Sequence, residues 1–135
     1  MGDLSGLAIL AVEDEVLIAH ELTHALQQCG ARVLGPVGYL HEALLLLESA
    51  DRLDGAVLDF GLHGEAVYPL ADALTARGVP YVFVTGYATS AAIPVRYRDV
   101  PCYEKPVGFG LVAQALALHI RERGSLQGNS SLEGS

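Results

Sequence analysis

The chain has 135 residues, enough for one domain built on one core, and with 51% apolar and 18% charged residues it reads as globular rather than disordered. Its formal net charge of −8 speaks against non-specific nucleic-acid binding, which needs surplus Lys and Arg, and against adsorption to anionic membranes. Residues 1–10 lack the basic start and long apolar stretch of a signal peptide, and no apolar run is long enough for a spanning helix, so a cytoplasmic location is expected.

After a short N-terminal extension, residues 1–6, the apolar run 7–12 stops abruptly at Glu13-Asp14-Glu15, the pattern of a buried strand. Residues 16–29 have helical period, with Ile18, Leu22, Ala25 and Cys29 on one face and Gly30 placed to end the helix. Residues 32–37 form a second strand, placed near an edge by Gly35 and Pro36, and 40–50 a second helix. Residues 55–60 (GAVLDF) are a third strand, followed by a glycine-containing loop, Gly61 to Gly64, and a helix over 65–77 with Gly78 as its stop. A fourth strand covers 81–84. Residues 86–100 contain Pro94 and little periodicity, so any helix there is short. A fifth strand spans 102–104 and the last helix 107–123. Residues 124–135, rich in Gly and Ser, are expected to form a disordered or non-native tail. Cys29 and Cys102 have no metal-binding or redox spacing and are expected to be reduced, buried thiols.

Strands alternating with helices predict an α/β fold: a parallel sheet, doubly wound, with helices on both faces. In such folds the polar site lies beyond the C-terminal strand ends. Glu13, Asp14, Asp59, Thr85 and Lys105 all stand there. Three carboxylates at adjacent strand ends repel one another unless a hard divalent cation, Mg2+ or Mn2+, joins them. Asp59 closes the central strand, and a carboxylate can act as nucleophile toward a phosphoryl group. A transferring phosphoryl group spreads charge over three oxygens. The cation, the Lys105 ammonium and the Thr85 hydroxyl can each meet one of them. Taken singly, each residue has a plainer reading as a helix-start acid, loop carboxylate, turn residue or solvated lysine. Their joint placement is what points to chemistry.

This arrangement resembles a CheY-like receiver domain over residues 7–123, carried by Glu13-Asp14, Asp59, Thr85 and Lys105-Pro106. The resemblance implies a flavodoxin-like five-stranded sheet in the order 2-1-3-4-5. It implies Mg2+ held by Asp14, Asp59 and the backbone carbonyl of Gly61, with Glu13 acting through water. It also implies Asp59 as phosphoacceptor for a sensor histidine kinase or phosphotransfer protein, Lys105 and Thr85 as phosphoryl ligands, and a cis bond before Pro106. Phe83-Val84-Thr85-Gly86-Tyr87 followed by Glu104-Lys105-Pro106 is similar to the FATGUY receivers, departing at Val84 where that motif has Ala. The place of the usual aromatic switch residue is taken by Cys102, so Tyr87 becomes the expected switch partner of Thr85. With the domain filling most of the chain, output is expected through a downstream protein partner or as a phosphate sink, from a monomer or weak homodimer that is a regulator rather than an enzyme.

Three other functions compete. A pseudo-receiver is a binding module that works without phosphate; the presence of all five site residues argues against it. A flavin- or nucleotide-binding flavodoxin-like protein would want glycines and amides where Glu13-Asp14-Glu15 stands. The segment His20-Glu21-Leu22-Thr23-His24 is a full HExxH, the signature of zinc metallopeptidases, with Glu42 at a distance that could supply a third ligand. Helix geometry sets His20 and His24 opposite the apolar face, whereas a catalytic zinc needs three ligands in a shaped, partly dry cleft.

Overall fold

The structure is a computed structural model that describes residues 3–86 and 93–133, the last nine by their backbone alone. Strands β1 (Ala8–Val12), β2 (Arg32–Val37), β3 (Gly55–Asp59), β6 (Tyr81–Thr85) and β7 (Cys102–Glu104) form one parallel sheet in the order β2-β1-β3-β6-β7. A second, two-stranded antiparallel sheet pairs β4 (Gly61–Leu62) with β5 (Glu65–Ala66) directly after β3. With this hairpin set aside, the order is the expected 2-1-3-4-5.

The three central strands are buried along their whole length, as strands covered on both faces must be. Alternation sends successive side chains to opposite layers. Leu10, Val12, Leu58 and Phe83 face α2 (Leu40–Ser49) and α3 (Tyr68–Ala76), joining Leu47, Leu70 and Leu74 in one core. Ile9, Ala11, Val57, Val82 and Val84 face α1 (Val16–Gln28) and α4 (Phe109–Glu133), joining Leu22, Leu26, Val112 and Leu116 in the other. Helix α1 therefore buries Ala19, Leu22 and Leu26, at the spacing of one helical face, while Ile18 and Ala25 sit at its margin.

Several boundaries differ from expectation. Helix α3 begins at Tyr68, not at residue 65, because Glu65 and Ala66 pair with Leu62 and Gly61 before the helix starts. Helix α4 continues to Glu133, through residues expected as a tail; Gly124 costs a helix about 1 kcal/mol relative to Ala but does not bar helical backbone. Cys29 is buried as expected, but Cys102 is exposed, since the short edge strand β7 turns Tyr103 inward and its neighbours out. Within 86–100 the described part contains one turn of 3-10 helix, Val95–Tyr97, held to α3 by Arg96 and the Tyr97 hydroxyl, both on Asp72. Tyr87 lies outside the described residues. Among the described residues no helix is long and apolar enough to cross a membrane.

Candidate functional site

The strand order places the ends of β1, β3, β6 and β7 side by side. Glu13 and Asp14 follow β1, Asp59 ends the central β3, Thr85 ends β6 and Lys105 follows β7. Carboxylate oxygens of Glu13, Asp14 and Asp59 lie within 4.8 Å of one another, and among the described residues this is the sole group of three or more His, Cys, Asp or Glu side chains so gathered. Lys105 Nζ reaches into it, 2.7 Å from Glu13 Oε1 and 3.2 Å from Asp59 Oδ2. The backbone N–H of Lys105 donates to the carbonyl of Thr85 at 2.7 Å, which ties the two strand ends together. The Lys105–Pro106 bond is cis.

Asp14, Asp59, Gly61, Thr85 and Lys105 line one cleft of about 810 Å³. Glu13 stands behind it, 4% exposed, and Asp59 and Thr85 are 7% and 5% exposed. Asp14 is the more open of the carboxylates, and its Oδ2 accepts the backbone N–H of His63 at 3.0 Å. Glu13 Oε2 accepts the backbone N–H of Glu15 at 3.1 Å.

Burial sets the protonation of this cluster. It pushes the Glu13 carboxyl from 4.5 up to about 7; Lys105 opposes the shift and Asp59 adds to it. Burial likewise raises Asp59, against the pull of Glu13 and Lys105. For Asp14, the upward push of burial is outweighed by hydrogen bonds, led by the His63 amide, so its carboxyl is lowered. Burial works against the Lys105 charge, but the hydrogen bond to Glu13 and the charges of Asp59 and Glu13 outweigh it, and Lys105 is raised. Three acidic groups with one ammonium leave a surplus of negative charge, and carboxylate oxygens this close suit a hard divalent cation.

One consequence is a pH dependence. Between pH 4.5 and about 7 the folded protein keeps on Glu13 a proton that the unfolded chain releases. Stability of the metal-free protein therefore falls as pH rises through that window, by about 3 kcal/mol in total. Urea denaturation with a chelator present at pH 5 and pH 7.5 checks this, and Glu13→Gln should flatten most of the difference.

The competing motif is not assembled into a site. His20, Glu21 and His24 lie exposed on α1, and no third ligand joins the two histidines among the described residues. Sequence reasoning missed the Glu13–Lys105 pair, which joins residues 92 positions apart through the strand order alone. His63, in the loop after Asp59, was a residue that could touch the site or a partner, but its backbone N–H as a donor to Asp14 was not foreseen. The positive φ of His63 and Gly64, 49° and 84°, is the type I′ hairpin pattern, and the glycine at the second turn position, directly before Glu65, was the available signal.

No family model and no curated protein matches the chain. Solved structures do. The solution structure of SdrG from Sphingomonas melonis Fr1 is 38% identical, with a TM-score of 0.71 over 87% of this chain and 99% of that one. The BeF3-activated conformation of SdrG from Pseudomonas melonis Fr1 is 40% identical, with a TM-score of 0.67 over 82% and 94%. A response regulator receiver protein from Sinorhizobium medicae WSM419 is 22% identical, with a TM-score of 0.74 over 87% and 96%, a likeness of fold.

Proposed function

This chain belongs to the family of response regulator receiver domains, and from that premise we propose that Asp59 is its phosphoacceptor, charged by a sensor histidine kinase or phosphotransfer protein. The observation that carries this reading is the position of Asp59 itself. It ends the central strand at the floor of the cleft, with Lys105 Nζ 3.2 Å away and two further carboxylates close by. In the proposed step an Asp59 oxygen attacks the phosphorus of the donor in line, the bond to the donor nitrogen or oxygen breaks, and the donor leaves with the electron pair. Lys105 moves its hydrogen bond from the carboxylate to an equatorial phosphoryl oxygen, and the Thr85 hydroxyl donates to another. Asp14 and Asp59, with the Gly61 carbonyl and Glu13 through water, would hold Mg2+ or Mn2+. Such a cation supplies charge neutralisation for the carboxylates and the incoming phosphoryl group.

Phosphorylation adds charge and acceptor oxygens at a site that now binds Lys105 through Glu13 and Asp59. We read Thr85 as the first element of the response, with Tyr87 repacking behind it as in FATGUY receivers, and a cytoplasmic protein partner or phosphate sink as the output. The relative SdrG has a BeF3-activated conformation. By analogy, the same anion with Mg2+ should activate this chain.

The test is incubation with a small phosphodonor. A mass gain of one phosphoryl group is expected with Mg2+ and none in the presence of a chelator. Equal gain under both conditions would overturn the cation's part in the reading, and no gain under either would overturn the reading itself.

A further inference from the structure

Asp14 is enclosed by two loops that come from different strands. From one side, the link between β2 and α2 passes so close that a Cβ on Gly38 would lie 3.1 Å from the Asp14 Cα, and the backbone N–H of Glu13 donates to the Val37 carbonyl at 3.0 Å. From the other side, the tip of the β4–β5 hairpin gives Asp14 Oδ2 the backbone N–H of His63. The next residues along each loop meet over the top. The rings of Tyr39 and His63 stack at 4.2 Å with an interplanar angle of 15°. Tyr39 and His63 line, with Glu13 and Asp14, a second cleft of about 520 Å³ on the far side of the carboxylates.

The identity of residue 63 is informative. Its φ of 49° lies in the left-handed region, where Gly is the unstrained choice. A glycine would supply the same backbone N–H to Asp14. What His63 adds is the ring, and the ring's stacking partner is Tyr39. Both rings are exposed, so the stack contributes little core burial. Its effect is to join the two loops across Asp14.

We propose that the Tyr39–His63 stack is a positioning clamp that holds the His63 amide on Asp14 and so orients this carboxylate for the divalent cation. Tyr39 and His63 are then positioning residues for the phosphoryl-transfer site, and the inference rests on the cation reading given above. Outer partners that orient ligands commonly govern metal affinity in this way.

The experiment compares wild type, Tyr39→Phe, Tyr39→Ala and His63→Gly by Mg2+ titration and by amide hydrogen exchange of residue 63 in the metal-free protein. Tyr39→Ala is expected to weaken Mg2+ binding roughly three- to tenfold, the contribution of one stacked ring pair, and to speed exchange of the residue 63 amide. Tyr39→Phe should keep wild-type behaviour in both. His63→Gly relieves the backbone, so its folding is not in question, and it should lose as much affinity as Tyr39→Ala. Unchanged affinity and exchange in Tyr39→Ala or His63→Gly would overturn the clamp, as would equal losses in Tyr39→Phe and Tyr39→Ala. If wild type binds no Mg2+, the cation reading fails, and the exchange comparison still decides whether the stack holds the amide.

Discussion

Asp59→Asn is expected to abolish phosphoryl acceptance and at the same time to raise the melting temperature. The first effect follows from the loss of the nucleophile, because an amide cannot form the acyl phosphate. The second follows from the cluster's charge. Burial holds Asp59 above its ordinary carboxyl range, which means the folded state disfavours its charge. Removing that charge leaves Glu13 and Asp14 with less repulsion, and Lys105 keeps its shorter ion pair, 2.7 Å to Glu13. The gain should be roughly 2–5 °C, the response of a domain of this size to about 1 kcal/mol. A thermal melt in chelator together with a phosphodonor assay checks both. A variant that melts higher yet accepts no phosphate separates the catalytic role of Asp59 from any structural one.

Phe83→Ala should have the largest effect on folding. Phe83 is fully buried at the centre of β6. Its ring meets Phe60 at 4.9 Å and 78°, Tyr81 at 5.5 Å and 70°, and Tyr97 at 5.6 Å and 86°, all edge-on, as ring quadrupoles prefer. Truncation removes the ring and leaves a cavity that three rigid aromatics cannot refill, at a cost of about 3–5 kcal/mol. That is a large share of the stability of an ordinary domain. Phe60 follows Asp59 directly, so the same cavity loosens the floor of the site. Urea unfolding should show a lower midpoint with an unchanged slope, and Phe83→Leu should lose less. A midpoint within the error of wild type would mean that this aromatic cluster is not the keystone of the core.

The sequence was most readable where hydrophobic pattern and position coincide. β1, β3 and β6 are apolar runs because both faces are covered, and each is closed by a polar residue, Glu13 just after β1 and Asp59 and Thr85 at the ends of β3 and β6. That rule alone brought Glu13, Asp14, Asp59, Thr85 and Lys105 onto one list, and they do stand together. Less readable was anything decided by pairs distant in the chain. Glu13 and Lys105 meet only because β1 and β7 lie on either side of β3 and β6, and no local pattern announces an ion pair across that span. The β4–β5 hairpin was hidden because two-residue strands carry no period, and Glu65 and Ala66 are equally at home in a helix. The apolar neighbours of Cys102 point to the interior, but an edge strand of three residues has only one covered face. The Tyr39–His63 stack depends on two loop conformations, which residue type alone does not fix.

The central claim is that Asp59 forms an acyl phosphate. Hydride reduction after phosphodonor treatment converts an aspartyl phosphate, and no ordinary carboxylate, into homoserine, and peptide mapping then locates it. The account predicts homoserine at position 59 and nowhere else. Homoserine at another carboxylate such as Asp14, or phosphate retained on His20, His24 or His63 with residue 59 intact, would contradict it.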